Sequence, residues 1–134
     1  MKTTCFLAVL CSILLGACGG ERAVQAKIAE AAATGKQAAQ AVEAYFKKRG
    51  GYPAHLEEAF VRPATLKDIK LMSVDRKSGV VRVTMSFAPV DGKSILFVPA
   101  RSKDKSFTWR CTSEDIDVKY LPEACRPESA GKGK

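Results

Sequence analysis

The spacing of apolar positions changes twice along the chain, and the changes mark its organisation. Residues 5–15 (CFLAVLCSILL) are a continuous apolar run. It is too short to cross a bilayer, which takes ~20 apolar residues as a helix. From Glu21 to Arg49 the period is helical. Val24, Ile28, Ala31, Gly35, Ala38, Val42 and Tyr45 recur at alternating steps of four and three and share a face. The stretch has no proline and is rich in Ala, Gln, Glu and Lys, all good helix formers. Glu43 and Lys47 make a favourable i,i+4 pair. Lys47, Lys48 and Arg49 suit the negative end of the helix dipole, and Gly50-Gly51 stops the helix. At the usual rise it is about 40 Å long. Its core face is mainly small residues, with bulk at Val42, Tyr45 and Phe46. We expect the C-terminal half to pack on a sheet and the first two or three turns to project as a stalk. Pairing with another helix along the alanine face is the alternative.

Residues 51–68 form a connector with Pro53 and Pro63, in which Leu56, Ala59 and Phe60 suggest one helical turn. The period then becomes two. Ile69 to Asp75 reads as a strand and 76–79 (RKSG) as its turn. In Val80 to Phe87, Val81, Val83, Met85 and Phe87 share one face, while Arg82, Thr84 and Ser86 share the other. That is an antiparallel strand with one wet side. Asp91-Gly92 signals a turn. Ser94 to Val98 is a more continuously apolar strand, expected to end at Pro99. A charged loop (101–105, RSKDK) leads to the alternation of Phe107, Trp109 and Cys111 with Thr108 and Arg110. The fold class is therefore α+β: a long N-terminal amphipathic helix on a roughly four-stranded antiparallel sheet.

The apolar run at the start changes the picture of where the protein resides. Lys2 precedes it and Leu15-Gly16-Ala17-Cys18 follows it, which resembles a bacterial lipobox at the end of a signal peptide. The resemblance implies cleavage before Cys18 and lipidation of Cys18 through its thiol and amine. The alternative is an ordinary secretory signal cut near Ala17. Removing residues 1–17 from the 134 leaves 117, enough for one domain. The expected boundaries are a signal peptide at 1–17, a lipid anchor and short flexible linker at 18–21, a domain at 22–126 and a disordered tail at 127–134. Cys5 and Cys11 leave with the signal and Cys18 takes lipid. Cys111 and Cys125 then remain as a pair in a chain exported to an oxidising compartment. Closing a loop of about 15 residues contributes roughly 3 kcal/mol. Gly19 after the lipidated cysteine offers no aspartate-type retention signal, so the outer membrane is the expected destination.

The order of elements and a set of residues resemble the globular part of a type IV pilin. The most specific part is FTWRC (107–111) followed by KYLPEACR (119–126). The segments 31–53, 72–87 and 92–100 resemble the pilin amphipathic helix with its aromatic-Pro exit, first hairpin and third strand. The resemblance implies a C-terminal disulfide-closed loop between Cys111 and Cys125, often a recognition surface in pilins. The apolar filament-core helix of pilins is replaced here by the lipobox. Ordinary filament polymerisation is therefore not expected.

Charge and chemistry narrow the function. The net charge of +8 becomes +7 without Lys2, which favours anionic partners such as DNA or an anionic glycan. Candidate ligand-binding residues are Arg82, Lys103, Lys105, Arg110, Lys119, Tyr120 and Arg126. Catalysis finds little support. His55 is the only histidine and has no Ser/His/Asp set around it, there is no glycine-rich phosphate loop, and one histidine with one cysteine pair does not make a zinc site. No catalytic residue, metal or cofactor is expected. The leading expectation is a lipid-anchored, non-catalytic binding, adhesion or accessory module linked to type IV pilus subunits or assembly proteins. The alternative is a DNA-capturing receptor for DNA uptake, using basic residues near the disulfide loop.

Overall fold

The computed structural model describes residues 19–60 and 66–127. Cys18, the expected signal peptide, part of the connector and all of the expected tail except Pro127 lie outside them. Helix α1 spans Gly19–Arg49. Glu21 in its first turn and Lys47, Lys48 and Arg49 in its last complement the dipole. The helix ends where Gly50 takes a φ of +78° and its N–H donates to the Phe46 carbonyl at 2.8 Å. Gly19 and Gly20, expected as a flexible joint, are the first residues of α1. The strong helix formers that follow carry the helix back through them.

Four strands follow: β1 (Ile69–Val74), β2 (Val81–Met85), β3 (Ser94–Arg101) and β4 (Phe107–Thr112). They form one antiparallel sheet in chain order. The face toward α1 carries Met72, Val81, Val83, Met85, Ile95 and Phe97, all buried. Opposite them α1 buries Ile28, Ala31, Gly35, Ala38, Ala39 and Val42. The helix thus lies on the sheet, and its small side chains let it approach closely. Gly35 shows how closely: a Cβ there would sit 2.3 Å from Phe97 Cε2 and 2.8 Å from Val83 Cγ2.

The expected stalk is not a stalk. Ile28 is fully buried, and the segment between the cysteines folds against the start of α1. Gln25 Nε2 donates to the Lys119 carbonyl at 2.6 Å.

Strand β3 runs through Pro99 instead of ending there. Its pairing with β2 stops at Phe97, opposite Val81. From Val98 to Arg101 only β4 lies alongside. A residue without an N–H is tolerated on such an edge.

In the β1–β2 turn, Asp75 Oδ1 accepts from the N–H groups of Lys77 and Ser78 and from Ser78 Oγ. Those bonds hold its carboxyl below the usual range, Ser78 contributing most. Gly79 closes the turn at φ +75°, and the Tyr52 ring lies where a Cβ would project. The connector is thereby tied to the first hairpin. A 3-10 turn at Leu56–Glu58 supplies the short helical turn expected in that connector and buries Leu56.

Candidate functional site

Cys111 on β4 is bonded to Cys125, with a Cα separation of 4.4 Å. The segment between them is more than a surface loop. Ile116 and Leu121 are buried and belong to the same core as the helix and sheet. Their spacing matches neither helix nor strand, which hid them in the sequence. Ser113 Oγ donates to the Ser94 carbonyl at 2.7 Å and accepts from the Ile116 N–H at 3.1 Å. Asp115 Oδ1 accepts from the Ser94 N–H at 3.1 Å. These bonds fix the segment to the start of β3. Asp117 Oδ1 accepts from the Lys119 N–H and starts a 3-10 turn at Val118–Tyr120. The carboxylates of Asp115 and Asp117 are thus used within the fold. Glu114, Val118 and Glu123 are exposed.

The seven candidate ligand-binding residues fall in three places. Lys119 and Tyr120 lie at the start of α1. Lys119 Nζ is 3.5 Å from Glu21 Oε1 and 4.9 Å from the Tyr120 ring centre. Tyr120 first, and then Glu21, raise the Lys119 pKa. Arg82 and Arg110 lie on the sheet face away from the helix. Their register partners Leu96 and Val98 on β3 separate them. Arg126 follows the disulfide, and its Nε donates to the Leu121 carbonyl at 3.0 Å. It shares a shallow recess of about 380 Å³ with Arg110. Lys103 and Lys105 are in the β3–β4 turn, beside the C-terminal end of α1. The structure therefore brings Arg110 to Arg126, and Lys103 to Lys105, but gathers no single basic site on the disulfide segment.

At the C-terminal end of α1 there is a grouping absent from the sequence expectations. Phe46 from α1 and Phe107 from β4 meet edge to face with centres 5.4 Å apart. Phe107 stacks on Trp109 at 6.3 Å, and Phe46 touches Tyr52 at 4.7 Å. The Arg101 guanidinium lies 4.9 Å from the Phe46 ring centre. Phe46, Lys47, Gly50, Arg101, Lys105 and Phe107 line a groove of about 380 Å³. A signal did exist, in basic residues on both sides of the groove and an aromatic at the start of β4. The pairing of helix end with hairpin needed the fold. A second, apolar groove of about 320 Å³ runs between α1 and the disulfide, lined by Ala29, Ala33, Trp109, Pro122 and Cys125 among others.

No group of three or more His, Cys, Asp or Glu side chains among the described residues could hold a metal ion. His55 is exposed at the start of the 3-10 turn of the connector.

A helix on a four-stranded meander, closed by a C-terminal disulfide, agrees with a comparison across protein families. Pilin (bacterial filament) matches residues 24–126. The chain belongs to the pilin family. Pilins are structural, non-enzymatic proteins of the bacterial cell envelope and surface, which associate with pilus components. The match ends at Arg126, just beyond the second cysteine, and so takes in the whole disulfide-closed segment. A search of curated proteins gives no match. No helix among the described residues is long and apolar enough to cross a membrane.

Proposed function

We propose that this pilin-family protein is a lipid-anchored, non-catalytic binding module of the cell envelope that docks on type IV pili as an adhesion or accessory subunit. One observation carries the reading. The pilin domain follows the lipobox-like Leu15-Gly16-Ala17-Cys18 closely in sequence, because the family match begins at residue 24. In this reading lipid at Cys18 replaces the apolar helix of ordinary pilins as the membrane attachment. Two acyl signals or more suffice for stable anchoring. The outer membrane is the proposed destination.

The disulfide-closed segment is the proposed contact surface. Its core anchors, Ile116 and Leu121, hold its backbone, and Glu114, Val118 and Glu123 are free to meet a partner. Preordered surfaces bind with a smaller entropic cost than mobile loops.

Metabolic labelling with a palmitate analogue tests the anchor. The wild-type chain is expected to be labelled and to fractionate with the outer membrane. Cys18→Ser is expected to lose both properties. Label retained by that variant, or an unlabelled wild type released from the cell, would exclude the anchored form.

A further inference from the structure

The two edges of the sheet are finished differently. At β1 a bulge between Ile69 and Leu71 interrupts the ladder, which disfavours pairing with a further strand. At β4 the register is regular. The Ser102 N–H donates to the Ser106 carbonyl at 3.0 Å, which makes these two a hydrogen-bonded pair. In an antiparallel ladder such pairs alternate with pairs whose N–H and C=O groups point away from each other. Arg101 with Phe107, and Pro99 with Trp109, are then pairs of the second kind. Pro99, which has no N–H, fits that place. The backbone groups of Phe107 and Trp109 therefore point outward from the edge of β4. Among the described residues, none hydrogen-bonds to them. Further along, Cys111 is crowded by Cys125, 4.4 Å away between Cα atoms. The open part of the edge is thus Phe107 to Arg110.

The two faces beside this edge differ in chemistry. On the α1 side lies the apolar groove of about 320 Å³, walled by Ala29, Ala33, Trp109 and Pro122. On the other side Arg110 is exposed and shares its recess with Arg126. Among the described residues, no carboxylate is ion-paired with either arginine. A strand added to β4 alternates its side chains between these two faces. We propose that the edge of β4 takes up an extended acidic segment of a partner protein, antiparallel at Phe107 and Trp109, with apolar side chains in the groove and carboxylates beside Arg110. In such strand addition main-chain bonds supply affinity and alternate side chains supply specificity. A second copy is a poor occupant: pairing β4 with β4 brings the Arg110 side chains of both copies onto one face, in a chain of net charge +8. Residues 128–134 (ESAGKGK) bring two lysines and two glycines, the wrong charge and weak strand formers. The edge uses none of Glu114, Val118 and Glu123, so this proposal and pilus docking can fail separately.

The test uses the full chain in detergent micelles and a labelled peptide of about eight residues alternating valine and glutamate, with binding read by anisotropy. The peptide is expected to bind and to slow hydrogen exchange at the Phe107 and Trp109 amides, which a purely electrostatic contact would leave unchanged. In an antiparallel pairing, the residues on the groove side are those whose N–H groups face β4. N-methylation of the valines is therefore expected to weaken binding about tenfold or more, and N-methylation of the glutamates to leave it as it was. Lysine in place of glutamate should weaken binding, and Arg110→Glu should reverse that preference. Ala33→Trp, at an exposed position of α1, should fill the groove and block the peptide with the melting temperature unchanged. No binding, equal binding of the valine-methylated peptide, a lysine peptide bound as tightly by the wild type, or unchanged exchange at Phe107 and Trp109 would overturn the proposal. So would self-association that protects the same amides without peptide.

Discussion

Trp109 Nε1 on β4 donates to Glu43 Oε2 on α1 at 3.0 Å, joining two elements that are 66 residues apart. The other carboxylate oxygen accepts from Lys47. The Lys47 bond first, and the Trp109 bond next, hold the Glu43 carboxyl below its ordinary value of 4.5. A carboxyl depressed by folding stabilises the fold above its unfolded pKa. That contribution is lost as pH falls through the folded value. Wild-type stability is therefore expected to fall below about pH 4.5 more steeply than that of Glu43→Gln. Trp109→Phe is expected to cost about 1–2 kcal/mol at neutral pH. Denaturant titrations at several pH values check both. Equal acid sensitivity in wild type and Glu43→Gln would remove the carboxylate from the account.

Gly35→Ala sets two effects against each other. Alanine gains about 1 kcal/mol in helix propensity. Its Cβ would collide with Phe97 and Val83 on the sheet, at 2.3 and 2.8 Å. Overpacking a core costs about 1–3 kcal/mol, so the net change is expected to be destabilising. Phe97→Leu in the same chain should recover part of the loss, by coupling between contacting sites. Urea midpoints for the two single variants and the double variant measure it. A stabilised Gly35→Ala would show that the helix stands further from the sheet.

The disulfide and the buried residues of the closed segment act separately. Replacing Cys111 and Cys125 with serine is expected to cost roughly 3 kcal/mol by releasing the unfolded chain. With Ile116 and Leu121 still buried, the segment should remain docked. Leu121→Ala is expected to cost about 2–5 kcal/mol with the disulfide intact and to expose the start of α1. Hydrogen exchange at the Tyr120 and Leu121 amides, which donate to the Asp117 and Val118 carbonyls at 2.9 and 3.1 Å, separates the cases. Protection should persist without the disulfide and fall in Leu121→Ala.

Exposed pairs should matter less. Glu21→Gln removes the partner of Lys119 at 3.5 Å, but both side chains are about half exposed. Such pairs are screened and contribute little. The melting temperature is expected to stay within error of wild type, even at low salt.

Most of the fold was legible because burial imposes a period. The face from Ile28 to Val42 and the alternation Val81, Val83, Met85 both lie in the core as their spacing implies. Features that depend on a neighbour were not legible. Pro99 sits inside β3 only because β2 is too short to reach it. Ile116 and Leu121 lie in a segment without regular period, so their burial left no pattern. The small residues early in α1 looked like a projecting stalk, and instead allow the helix to sit close to the sheet. Basic residues were visible individually. Their division among three surfaces, and the pairing of Phe46 with Phe107, followed from the meander alone.

The most direct measurement of the central reading is co-sedimentation of the full chain, in detergent micelles, with sheared type IV pili across a salt series. A pilus-docking module is expected to sediment with the pili, with little loss between low and high salt. Substituting Glu114 and Val118 on the disulfide-closed segment should reduce that retention. A chain that stays in the supernatant at every salt concentration would contradict the docking role, leaving pilin ancestry of the fold without pilus association.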